Sequence, residues 1–148
     1  MHFAEYFSLP TAEREQTRPP DQPLGKELYE DVMPPLMDLF HGKCAFCEGN
    51  KVSVDPYQFR PTAYAFGFDQ ADSEQPVYYG WLAYAWQNLY LVCEDCHPSN
   101  DTFFPTLGPR TPLPKLEDLR TYIENGDGVW PFELEEWPEI LDPCGGHR

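Results

Sequence analysis

After Leu24, apolar residues return every three or four positions, at Leu28, Tyr29, Val32, Met33, Leu36, Met37 and Phe40, which is the spacing of one buried face of an amphipathic helix. Pro34 and Pro35 fall inside that pattern, and each lacks the N–H of an intrahelical bond, so the helix is expected to kink or split there. Gly42, in FHGKC, is placed to cap it. Lys51 to Phe59 alternates loosely and predicts a short strand, weakened by Pro56. FGFDQADSEQP reads as a polar loop. In YYGWLAYAWQNLYLVC, Trp81, Leu82, Ala85, Trp86 and Leu89 stand at helical spacing, which predicts a second helix packed on the first. KLEDLRTYIENG predicts a third, stopped at Asn125 and Gly126. The start of the chain is polar, and Pro19, Pro20 and Pro23 break any helix, so residues 1–23 are expected to form an extended arm ahead of a single domain at residues 24–148.

Composition narrows what this pattern can do. At 148 residues one core is affordable, yet it is small enough for a metal clip to add substantially to stability. No apolar run approaches the roughly eighteen residues that span a bilayer, and MHFAEYFSLP has neither a basic start nor an apolar signal core. A soluble, cytoplasmic protein without a membrane is expected. Ten Lys plus Arg against twenty-five Asp plus Glu give a formal net charge of −15, which argues against strong autonomous binding to DNA or RNA.

Chemistry concentrates in two cysteine pairs, Cys44-Ala45-Phe46-Cys47 and Cys93-Glu94-Asp95-Cys96. A CxxC turn brings two thiolates to one side of a knuckle, and two knuckles complete a tetrahedral shell with Zn–S distances of ~2.3 Å. Because sulfur fills all four positions, this zinc is expected to be structural. The forty-five residues between the pairs exceed the usual loop of a zinc ribbon, so something is inserted. Cys144, the odd cysteine, reads as a buried free thiol.

The succession GKCAFCE, FRP, YYGWLAYAWQNLYLVCEDCH, FFP and LDPC resembles the HNH endonuclease family, and within it the HNH subunit of Septu-type anti-phage systems and related retron systems. The likeness runs from Leu28 to Cys144, and relatives of that kind continue beyond LDPC. It implies an α+β molecule with a small zinc-stapled HNH (ββα-metal) core embedded in helices, a bacterial or phage-derived origin, cutting of DNA with a divalent cation, and action beside an SMC-like ABC-type ATPase. In such a site a carboxylate and a final His or Asn hold the cation, a His activates water, and an Asn fixes the hairpin by hydrogen bonding.

Matched on Arg60-Pro61, Gln58 stands where the family has its base and Tyr57 where it has the carboxylate. Gln has no group that titrates near neutral pH, and a neutral Tyr is a poor ligand for a hard cation. Thr62 and Asn100 replace two family lysines, whereas Asn88 and His97 match the family's middle Asn and its metal ligand. Shifting the match to Val54-Asp55 supplies Asp55 as a carboxylate but puts Pro56 at the base. His2, His41 and His147 read as surface or capping residues, and the aromatics of WLAYAW as core rather than a base-stacking platform. Arg60 is either a phosphate contact or a turn residue paired to a local acid. Glu133, Glu135, Glu136 and Glu139 read as a solvated face that, with Trp130, Phe132 and Trp137 interleaved, can dock a basic partner.

These observations favour an HNH-like zinc protein, catalytically degenerate, that serves as a protein-binding subunit or adaptor of a bacterial anti-phage defence complex and meets DNA only through that complex. Two alternatives stand beside it. One is an active nuclease with a rearranged site built from His97, Asn88 and Asp55, which would hold a second divalent cation. The other is an acidic DNA mimic that inhibits a basic protein.

Overall fold

The computed structural model describes residues 3–17, 26–50, 53–62, 79–98 and 103–139. In chain order these form α1 (Phe3–Ser8), α2 (Thr11–Gln16), α3 (Lys26–Leu39), β1 (Val54–Gln58), two single 3-10 turns (Gly80–Leu82 and Trp86–Asn88), β2 (Leu89–Cys93), β3 (Thr106–Leu107), α4 (Leu116–Asn125) and β4 (Trp137–Pro138). Two antiparallel two-stranded ribbons result, β1 with β2 and β3 with β4. The mixed helix and sheet content agrees with an α+β class.

β2 is the centre of the molecule. All five residues of LYLVC are buried, because its two faces meet different partners. Tyr90 and Val92 join Tyr57, Phe59, Tyr79, Trp81 and Phe104 on one side, while Leu89 and Leu91 meet Val32 and Leu36 of α3 on the other. A strand covered on both faces loses its alternation and reads as a continuous apolar run. That is why the predicted helix over YYGWLAYAWQNL is absent. Tyr79, Gly80, Trp81, Leu82, Ala83 and Ala85 are all buried, with only Tyr84 and Gln87 exposed among residues 79–88, so the solvent-facing positions do not form a continuous helical stripe. Instead Ala85 is extended at φ −78°, ψ 131° and divides the segment into two short turns.

Pro56 survives in β1 because of its register. Phe59 N–H donates to Asn88 O at 3.0 Å, and counting back along the antiparallel ladder puts Pro56, opposite Leu91, at a pair that exchanges no bonds. Leu91 accordingly turns its carbonyl away from β1 and accepts from Ala45 N–H at 2.7 Å.

The helix α3 runs unbroken for fourteen residues with both prolines inside it and exposed, so it does not split. It ends in a Schellman motif: Gly42 N–H donates to Met37 O at 2.8 Å and His41 N–H to Asp38 O at 3.3 Å. The left-handed position before the closing bond is held by His41, at φ 53°, with Gly42 at φ 68° after it. His41 is thus a capping residue.

The expectation of an extended N-terminal arm fails for residues 3–17. Pro10 separates α1 from α2, and a proline just ahead of a helix costs nothing because the N–H it lacks would have no intrahelical partner. Tyr6 is buried in the core, its hydroxyl donating to Arg14 O at 3.2 Å, while Arg14 Nη1 donates to Pro114 O at 3.1 Å. Pro19, Pro20, Pro23, His2, Asn100, Cys144 and His147 lie outside the described residues.

Candidate metal centre

The two knuckles are short turns built on main-chain bonds. In the first, Cys44 N–H donates to Gly49 O at 3.2 Å and Glu48 N–H to Cys44 O at 2.9 Å, with Glu48 left-handed at φ 56°. In the second, Cys96 and His97 N–H both donate to Cys93 O, at 3.1 and 3.0 Å. The bond from Ala45 to Leu91 docks the first knuckle against β2, whose last residue is Cys93, so the second knuckle follows directly from the strand.

Cys44, Cys47, Cys93 and Cys96 converge with every sulfur within 4.8 Å of every other. All four are free thiols, and Cys47 Sγ lies 3.9 Å from Cys93 Sγ. Tetrahedral coordination at ~2.3 Å requires sulfurs about 3.8 Å apart, so the arrangement fits a metal ion such as zinc. Cys44 and Cys93 are buried while Cys47 is exposed, which leaves one side of the cluster open to an entering ion. Burial pushes the Cys44 thiol up, but N–H groups of Cys47, Cys93 and Phe46 outweigh it and bring the pKa down to about 6. Hydrogen bonding with Cys93, with a smaller contribution from desolvation, pushes Cys96 up to about 12. Because metal ligation requires thiolates, loading of the cluster releases protons and is favoured as pH rises.

The four positions matched to the nuclease motif do not converge in the same way. Tyr57 is buried and meets the His97 ring edge-on, with ring centroids 5.2 Å apart. Gln58, its neighbour on the opposite face of β1, donates from Nε2 to Ala83 O at 2.8 Å. Asn88 is fully buried and clamps the backbone of Arg60 from both sides: its Oδ1 accepts from Arg60 N–H at 2.6 Å and its Nδ2 donates to Arg60 O at 3.1 Å. Gln87 does the same to Trp130, donating to its carbonyl at 2.8 Å and accepting from its N–H at 3.1 Å. The imidazole of His97 is exposed, with Nδ1 3.1 Å from Pro98 O. Asp55 accepts from the Tyr29 hydroxyl, and that bond holds the Tyr29 pKa above its ordinary value. Among the described residues no second group of three or more His, Cys, Asp or Glu side chains comes together.

Arg60 is neither a surface phosphate contact nor paired to a local acid. It is buried, stacked over Phe59 and Phe104, and its Nε lies 2.8 Å from Glu136 Oε1, seventy-six residues away. Glu136 also accepts from the Tyr79 hydroxyl at 2.7 Å and from Thr111 N–H at 3.0 Å. Burial first, then the Glu136 charge, push the Tyr79 pKa far up, so it remains a hydroxyl donor. Glu136 thus leaves the expected solvated acidic face, while Glu133, Glu135 and Glu139 remain exposed. Nothing in FELEEW distinguishes Glu136 from Glu135 except strand alternation beside Trp137.

Fold and centre together define a small α+β protein with a four-cysteine cluster able to hold a metal. Over 87 residues, 53% of this chain, it is 36% identical to the Septu protein PtuB of Bacillus mycoides (strain KBAB4). The match spans 28% of that relative's length. No family model and no solved structure matches the chain significantly. Among the described residues no helix is long and apolar enough to cross a membrane.

Proposed function

We propose that this chain is an HNH-like zinc protein that binds rather than cuts, a subunit or adaptor of an anti-phage defence complex. The observation that carries this reading is the fate of the motif positions. Asn88 and Gln58 are committed to backbone partners, and Gln58 offers no base, whereas the four cysteines keep a complete donor set. Zinc held by Cys44, Cys47, Cys93 and Cys96 would join the knuckle before β1 to the end of β2, supplying cross-linking rather than Lewis-acid chemistry, since no coordination position is left for water. The likeness to a Septu protein supports placement in a defence system, and an SMC-like ABC-type ATPase is the partner we assign. DNA would be met through that partner, given the net charge of −15.

The test is direct. The purified protein, alone and with the ATPase, is incubated with plasmid or single-stranded DNA and Mg²⁺, Mn²⁺ or Ni²⁺. No cleavage is expected. Cleavage that disappears in His97→Ala would overturn the reading in favour of a rearranged nuclease.

A further inference from the structure

The ribbon of β3 and β4 combines a buried anchor with an exposed indole. Glu136 points inward to Arg60, Tyr79 and Thr111, and Glu139 N–H donates to Pro105 O at 2.9 Å, so this stretch is fixed on both sides of Trp137. Strand alternation then turns Trp137 outward, where it is 63% exposed. Its cross-strand neighbour is Leu107, 62% exposed. Directly opposed side chains have Cβ atoms within about 5.5 Å, so the two form one apolar knob.

The surroundings say what can cover it. Glu133, Glu135 and Glu139 are exposed beside Trp137, and residues 131–139 contain no Lys or Arg. A nucleic acid is repelled by this rim. A second copy would bring the same carboxylates face to face, in a chain of net charge −15. We infer that Trp137 and Leu107 are the anchor of a docking surface for a protein partner whose face offers an apolar pocket rimmed by lysine and arginine. Tryptophan is the side chain most often found as such an anchor, and one already fixed on an ordered ribbon loses little conformational freedom on binding. The inference rests on the adaptor reading above and assigns its contact surface.

The experiment uses full-length protein and the ABC-type ATPase, with binding read by biolayer interferometry at two salt concentrations. Wild type is compared with Trp137→Ser, with Leu107→Ser, and with a Glu133→Lys, Glu135→Lys, Glu139→Lys triple variant, each checked for an unchanged near-ultraviolet circular dichroism spectrum. Binding by wild type that falls at least tenfold in Trp137→Ser and in the triple variant, with a salt dependence that the triple variant loses, is the expected result. Equal affinity in all variants overturns this surface and leaves the adaptor reading standing. No binding even by wild type overturns both. Self-association of wild type in sedimentation velocity that Trp137→Ser abolishes overturns it in favour of a second copy.

Discussion

The two ends of the β1–β2 ribbon are built for different things. At one end Val54 pairs with Cys93, and the strand runs straight into a cluster of four free thiols. At the other end, about 16 Å away at ~3.3 Å per residue, Phe59 meets Asn88, and the ribbon is closed by an amide bonded to both sides of Arg60. The first end holds donors grouped around a shared centre, while the second has its polar groups satisfied by the protein itself. Position within a motif therefore does not decide a residue's role. What decides it is whether the side chain has hydrogen-bonding capacity left over after folding.

The largest effect that can break this comparison lies at the cysteines. Cys93→Ser removes a buried ligand at the end of β2, and because metal binding is folding free energy, the loss should reach several kcal/mol. At roughly 3 °C per kcal/mol for a chain of this size, the thermal midpoint should fall by about 10–15 °C, with a matching loss of bound zinc. Chelation of the wild type should reproduce it. An unchanged midpoint would remove the staple from the account.

Next comes the network at Arg60. Glu136→Ala leaves a buried guanidinium without its carboxylate, which should cost about 3–5 kcal/mol in urea denaturation. The paired change Arg60→Met, Glu136→Leu should recover most of that loss. If Glu136→Ala is neutral, the C-terminal ribbon is not anchored as described.

Asn88 and Gln58 give a smaller and graded contrast. Asn88→Ala orphans the buried N–H and C=O of Arg60 and should cost about 2–3 kcal/mol, while Gln58→Ala gives up one half-exposed bond and should cost about 1 kcal/mol. Zinc content should stay unchanged in both, since neither touches a sulfur. A loss of metal in Asn88→Ala would show that the two ends are coupled after all. The smallest effect has the opposite sign. His41→Gly relieves a left-handed residue in the α3 cap and should stabilise the fold by about 0.5–1 kcal/mol.

What could be read from the sequence follows the same division. The cysteine pairs, α3, β1 and the stop of α4 at Gly126, which is left-handed at φ 65°, all depend on local spacing and were legible. The segment from Tyr79 to Asn88 was not, because periodicity distinguishes a helix only when one continuous face is wet, and here burial is interrupted only at Tyr84, Trp86 and Gln87. The N-terminal helices were hidden by prolines that lie beyond them in the chain. At the candidate site, Gln58 and Tyr57 could be recognised as unsuited to nuclease chemistry from residue type alone. Their actual partners, Ala83 and His97, depend on how distant segments pack. The partner of Arg60 was illegible for the same reason, since Glu136 sits among three similar glutamates and only the fold turns it inward.

The most direct test of the division between a metal-holding end and a closed end is metal stoichiometry. Full-length protein would be dialysed against Zn²⁺ and then Mn²⁺, with bound metal counted by mass spectrometry in wild type, Cys93→Ser and His97→Ala. One zinc per chain that Cys93→Ser abolishes and His97→Ala retains, with no manganese held, is the predicted result. A retained equivalent of manganese that His97→Ala removes would contradict it and place a working cation site beside the second knuckle, separate from the four cysteines.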